Sequence, residues 1–175
     1  MRILILIAAM TLGACAGEPP VNRSSSTPLS VASIETEPYL GHWFEQARLP
    51  NSFERDCVAA TADYALRDDG LISVRNVCTK EDGGQSDVSG RARLVGVPGE
   101  GKLEVSFFGP FWGDYWVLER APDYSWSIVG EPEGRYLWIL TRSETISAEQ
   151  RADFARRLQS LGYQTDALYW RPVSG

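Results

Sequence analysis

His42 is the only histidine in the chain, and that removes most side-chain chemistry. Hydrolysis by a Ser-His-Asp set needs an imidazole beside the nucleophile. A zinc site draws on several His or Cys ligands. His42 stands beside Trp43 in an alternating run and reads as a surface strand residue. The pair Asp68-Asp69 lies in "LRDDGL", where Asp bonds the backbone amides of a turn. Glu45 is different. Alternation puts Trp43, Glu45 and Ala47 on one face. If Trp43 points inward, Glu45 does too, and a buried carboxyl needs a partner or a raised pKa. It is either structural or a polar contact for a ligand. No catalytic residue, metal site or cofactor is expected.

Thiols are the remaining reactive groups. Cys57 and Cys78 flank "LRDDGL" at similar distances, as two strands of one hairpin would. In an exported chain a disulfide between them is favoured; two buried thiols are the alternative. Simple alternation does not give them matching faces, and a bulge near the start of the first strand would correct this. Cys15 ends "MRILILIAAMTLGAC": one Arg, an apolar run over 3–12, then small residues. That is a secretory signal, too short to span a bilayer, which takes about 20 apolar residues. "LGAC" (12–15) resembles a bacterial lipobox. The resemblance implies cleavage before Cys15, a diacylglycerol on its thiol and an acylated amine. An ordinary signal with an incidental Cys is the alternative. The residue after it is Ala16 and not Asp, which by the same resemblance implies the outer membrane, with the body facing the periplasm.

Residues 15–38 are rich in Pro, Ser and Thr and lack aromatics. Such a composition buries too little apolar surface to offset its ordering entropy, and predicts a flexible tether. The expected organisation is a signal peptide over 1–14, the tether over 15–38 and one folded domain over 39–175, long enough for one core. The net charge is −6 and no stretch interleaves Lys and Arg with aromatics, so nucleic acid is not an expected partner.

Within the body, extended runs at 41–48, 57–67, 71–78, 87–95, 102–108, 114–120, 126–130 and 136–142 alternate with turn-rich segments. Evenly spaced strands with short connections predict an all-β, eight-stranded, up-and-down antiparallel barrel. The period then changes. Ser147 and Gln150 form a capping box. Phe154, Ala155, Leu158 and Leu161 keep helical spacing, and Gly162 ends it. One C-terminal α-helix must dock outside the barrel to bury that stripe. "ALYW" reads as a short final strand.

That order, headed by "YLGHWFEQARLP", resembles the lipocalin family. Gly41-His42-Trp43 matches its G-x-W motif, and Arg142, in "YLWILTR", matches the Arg that ends strand eight. The resemblance implies that Arg142 covers Trp43 and closes one end of the barrel, with Gly41, Trp43 and Arg142 as structural residues. The family's T-D-Y turn is less clear: "APDYS" has Pro122 before Asp123-Tyr124. The segments "YLGHWFEQARLPNSFER", "YALRDDG" and "KLEVSFFGPFWGDYWVLE" look like the bacterial outer-membrane subgroup, related to apolipoprotein D.

Eight-stranded barrels of this kind leave room for one ligand. By alternation the lumenal face carries Ala60, Ala62 and Tyr64; Ile72, Val74 and Asn76; Gly90, Ala92 and Leu94; Leu103, Val105 and Phe107; Tyr115 and Val117; and Tyr136, Trp138 and Leu140. From these, Ala60, Ala62, Tyr64, Val74, Asn76, Ala92, Leu94, Val105, Phe107, Tyr115, Val117, Trp138 and Leu140 are the candidate ligand contacts. The small residues Ala60, Ala62, Gly90 and Ala92 predict space in the lumen. The aromatic hairpin "FFGPFWGDYW" is expected at the closed end, with Phe111 and Trp112 on the floor or the outer surface. The resemblance implies a carrier, not an enzyme, that takes a fatty acid or lysophospholipid non-covalently, as a monomer or homodimer. An enzyme on the same fold, such as a lipid isomerase with a reactive lumenal residue, or a structural envelope lipoprotein with a filled barrel, are the alternatives.

Overall fold

In the computed structural model, which describes residues 19–172, eight antiparallel strands close into a barrel. They are β1 (Gly41–Arg48), β2 (Ala59–Leu66), β3 (Ile72–Thr79), β4 (Gln85–Leu94), β5 (Lys102–Ser106), β6 (Gly113–Arg120), β7 (Trp126–Gly130) and β8 (Leu137–Thr141). Each pairs with its sequence neighbour, and β1 pairs with both β2 and β8, which completes the closure. A one-turn helix, α1 (Thr36–Tyr39), precedes the barrel; α2 (Ala148–Ser160) and the two-residue β9 (Tyr169–Trp170) follow it. The signal peptide and Cys15 lie outside the described residues.

The capping box forms as the sequence predicts: Gln150 N donates to Ser147 Oγ at 3.1 Å, and Ser147 N donates to Gln150 Oε1 at 2.8 Å. The apolar stripe of α2 then docks on the outer face of the barrel. Phe154 and Leu158 pack with Leu161 and Tyr163 against Ala47, Leu49, Leu118, Ile128, Leu137 and Ile139. Each such fully buried aliphatic side chain contributes about 1.5–3 kcal/mol. β9 pairs with the end of β1, Ala47 with Trp170 and Arg48 with Tyr169.

One end of the barrel is sealed. The Arg142 guanidinium lies 3.6 Å from the centre of a Trp43 ring. It also donates to the carbonyls of His42, Pro38, Tyr39 and Leu40. The stacking contributes about 0.5–2 kcal/mol, and the carbonyl bonds fasten α1 across the barrel floor. The "APDYS" turn lies at this end and is built despite Pro122: Tyr124 has φ 59°, is buried, and its hydroxyl accepts from Glu35 N at 2.8 Å.

β1 starts at the sealed end, and each hairpin reverses the chain. The connections 49–58, 80–84, 107–112 and 131–136 therefore lie at the opposite, open end. This corrects the expected position of the aromatic hairpin: Phe111 and Trp112 stand at the mouth, not the floor. Phe111 is exposed, and Trp112 lies on the outer surface under Arg91 and Arg93.

The described part of 15–38 is not a free tether. Asn22 N donates to Gly134 O, Ser24 N to Gly162 O, Ala32 N to Val117 O and Ile34 N to Gly99 O. The chain runs as a strap down the outside, from the open end to the closed end, and Ile34 joins the buried cluster. Unpaired backbone groups on the barrel surface give the strap its partners, and composition does not report them.

Candidate functional site

The floor of the barrel is polar. The Tyr39 hydroxyl is hydrogen bonded to the Tyr115 hydroxyl at 2.9 Å and to Ser127 Oγ at 3.2 Å; Tyr64 and Tyr115 are bonded at 3.0 Å. Burial pushes Tyr39 up to about 12 and raises Tyr64 and Tyr115 well above the ordinary phenol range. All three stay neutral phenols in ordinary buffers, and each can both donate and accept. Trp43 Nε1 donates to the Tyr39 carbonyl at 2.9 Å, which ties this layer to the sealed end.

Above it the wall is apolar. Ala62, Tyr64, Val74, Ala92, Val117 and Leu140 form one buried cluster with Trp43, Ile72, Leu103 and Val129. Val105, Phe107, Tyr115 and Trp138 pack against it but are only partly buried. Ala60 is buried on the same strand face without joining the cluster. Asn76 keeps its Oδ1 buried without a hydrogen-bond partner. Leu94 departs from expectation: it is 47% exposed at the end of β4. Val88, two residues before Gly90 on the same face, is 37% exposed. Gly90 does not provide space. A Cβ there would lie 2.7 Å from Phe107 Cδ1, so the Phe107 ring already fills that place.

The mouth holds a buried ion pair. Arg48 Nη1 donates to Glu45 Oε1 at 2.7 Å, and Arg48 Nη2 donates to the carbonyls of Glu54 and Cys57. Trp138 Nε1 and Asn51 Nδ2 both donate to Glu54 Oε2, at 3.0 and 2.6 Å. Burial, and Glu54 beside it, hold the Glu45 carboxyl well above its ordinary range, against the pull of Arg48. Over this cluster Phe53, Tyr136 and Trp138 stack, the last two with centroids 5.9 Å apart.

Arg48 reaches this side because β1 is bulged. Its register to β8 shifts between Glu45 and Ala47. Trp43 and Glu45 face inward as alternation predicts, but Ala47 packs under α2, and Arg48 turns toward the mouth. The shared face expected for Trp43, Glu45 and Ala47 thus ends at Glu45. Glu54 and Phe53 come from the 49–58 connection, where no period marks them. On β8, Trp138 and Leu140 face inward, while Leu137 and Ile139 meet the helix.

Cys57 and Cys78 are joined by a disulfide, with Cα atoms 5.3 Å apart. No bulge is needed to match their faces: β2 begins at Ala59, so Cys57 precedes the ladder and approaches Cys78 from outside it. His42 lies on the surface, its Nδ1 2.6 Å from Asp63 Oδ1.

Comparison with known proteins agrees with this architecture. The model of a family described as "Lipocalin-like domain" matches residues 34–173. The chain is 37% identical over 170 residues to the outer membrane lipoprotein Blc of Vibrio cholerae serotype O1, covering 96% of each chain. It is 30% identical to apolipoprotein D of Macaca fascicularis, covering 90% of this chain and 87% of the other. Among solved structures, insecticyanin of the tobacco hornworm Manduca sexta superposes with a TM-score of 0.64 at 20% identity, over 89% of this chain and 86% of the other.

Proposed function

Because the chain belongs to the lipocalin family, we propose that its barrel carries a single-chain lipid, a fatty acid or lysophospholipid, at the outer membrane. Bacterial relatives at 37% identity are named outer membrane lipoproteins, and the chain shares that lipid-anchored place. Within the proposal Cys15 is the lipid attachment residue. The ligand contacts are Ala60, Ala62, Tyr64, Val74, Asn76, Ala92, Val105, Phe107, Tyr115, Val117, Trp138 and Leu140.

One observation carries the reading. A continuous apolar wall ends, toward the mouth, in partly buried Val105, Phe107 and Trp138, which suits an acyl chain with its head outward. Arg48, the cation on the inner side, is already engaged by Glu45 and two carbonyls. Arg48 is therefore not free to draw a ligand carboxylate into the barrel, and the head group projects outward past the mouth. The unpaired Asn76 Oδ1 offers an acceptor to a ligand hydroxyl. The enzyme alternative called for a reactive lumenal residue such as a free thiol, and Cys57 and Cys78 are bonded to each other. Native mass spectrometry of the Cys15→Ser protein tests the reading. One co-purified single-chain lipid per protein is expected; only empty protein, or a lipid with no defined stoichiometry, would contradict it.

A further inference from the structure

We infer that a short N-terminal leash holds the mouth of the barrel against the membrane, with Phe53, Phe108 and Phe111 as its contacts with the lipid. The inference rests on the Cys15 anchor and the outer-membrane location proposed above, not on the identity of the ligand.

The strap decides the geometry. Its first described residue, Pro19, accepts from Arg135 Nη1 at 2.8 Å, and Asn22 N donates to Gly134 O at 2.9 Å. Gly134 and Arg135 belong to the 131–136 connection, at the open end. The attachment is close: a Cβ on Gly134 would collide with Arg23, and one on Gly162 would meet Thr27 Oγ1 at 2.9 Å. Between Cys15 and Pro19 stand only Ala16, Gly17 and Glu18. Four residue steps reach at most about 14 Å. The acyl chains on Cys15 are therefore tied to the open end, while the closed end lies a full barrel length away.

The open end is also dressed for lipid. Phe53, Phe108 and Phe111 are 62%, 75% and 76% exposed, and Val21, on the strap next to Asn22 where it meets the 131–136 connection, is exposed too. Behind them Trp112 lies under the guanidinium groups of Arg91 and Arg93, at 5.3 and 4.3 Å. Apolar tips backed by an aromatic–cationic layer suit a head-group boundary. The closed end exposes aliphatic Leu66, Leu94 and Val97, but the leash keeps them away from the bilayer. A ligand leaving the mouth then enters the leaflet that holds the anchor without crossing open water.

The test uses the full mature lipoprotein in vesicles of phosphatidylethanolamine and phosphatidylglycerol, after intact mass shows acyl chains on Cys15. An environment-sensitive NBD label is placed through Phe111→Cys or, at the closed end, Val97→Cys; Cys57 and Cys78 are bonded and do not react. Lipid carrying a doxyl quencher should quench the label at 111 several-fold more than the label at 97. Inserting about 20 Gly/Ser residues after Gly17 should reduce the quenching at 111. Equal quenching at the two sites, quenching at neither, or quenching at 111 that ignores the insertion would overturn the inference. So would a blue shift at 111 that lipid quencher does not touch, since a second copy would then cover the rim. Absence of acyl chains on Cys15 overturns it as well. Ligand binding is not read by this experiment, so its failure and that of the carrier reading are distinguishable.

Discussion

Phe107 occupies the place that a side chain at Gly90 would need. A Cβ on Gly90 would lie 2.7 Å from Phe107 Cδ1 and 2.7 Å from the Ser106 carbonyl. The absent side chain on β4 is matched by a ring from the end of β5, which narrows the cup below its mouth.

Gly90→Ala should therefore destabilise the fold by about 1–3 kcal/mol, the cost of overpacking. The same change in a Phe107→Leu background should cost less, because one of the two clashes is gone and neighbouring sites couple. Urea unfolding of the four proteins measures this. Strict additivity would show that the two residues do not compete for space.

Arg142 joins stacking on Trp43 to bonds with five carbonyls, those of Tyr124, His42, Pro38, Tyr39 and Leu40. Arg142→Gln should cost about 2–4 kcal/mol, from the lost cation–π contact and charge-assisted bonds. Arg142→Lys should recover little, since a point charge cannot serve a ring and five acceptors together. Chemical denaturation checks both; a Lys variant as stable as the parent would contradict this reading of the closed end.

Glu45 gives a pH dependence with a definite sign. Its folded-state pKa is raised well above the ordinary 4.5, so the folded protein holds the proton more tightly than the unfolded chain. Stability from this group is then highest below about pH 4.5, where both states are protonated. It falls as pH rises from there to the folded-state pKa, above which the loss is complete. Glu45→Gln stays neutral throughout and should lack this falling limb. Urea midpoints collected from pH 4.5 upward compare the two; parallel profiles would remove Glu45 as the source.

The disulfide closes a separation of 21 residues. The chain-entropy model gives it roughly 3 kcal/mol. The Cys57→Ser, Cys78→Ser double variant should lose about that much, and the parent should show no alkylatable thiol in the body without reductant. Two reactive thiols in protein from an oxidising compartment would contradict the pairing.

Much of the wall was legible because strand alternation is strict wherever one face is buried. Ala62, Tyr64, Val74, Ala92, Val117 and Leu140 fall on the inner face as their period says. The failures have separate causes. The irregularity between Glu45 and Ala47 inverts the rest of β1, and nothing in "WFEQAR" marks it, so Arg48 was missed as Glu45's partner. Glu54 enters from a connection, where side chains have no period. Leu94 keeps the right phase but lies too near the barrel's end to be covered. The aromatic hairpin lies at the mouth and not at the closed end expected, because four hairpin reversals leave β5 running in the same direction as β1. The strap from Pro19 to Ile34 is held largely by backbone hydrogen bonds, which a polar composition hides.

In the proposed function one lipid enters the barrel through its mouth. Trp138 stands there, partly buried, beside the lumenal cluster, and Val88, in the inward phase of β4, is exposed. Titrating lysophospholipid into the Cys15→Ser protein, read by tryptophan fluorescence, tests the claim most directly. A saturable curve with one ligand per chain is predicted. Trp138→Phe should remove most of the signal, and Val88→Trp should weaken binding at least tenfold, about 1.4 kcal/mol, with the melting temperature nearly unchanged. An unsaturable response, or full affinity in Val88→Trp, would contradict it and leave the filled structural barrel as the better description.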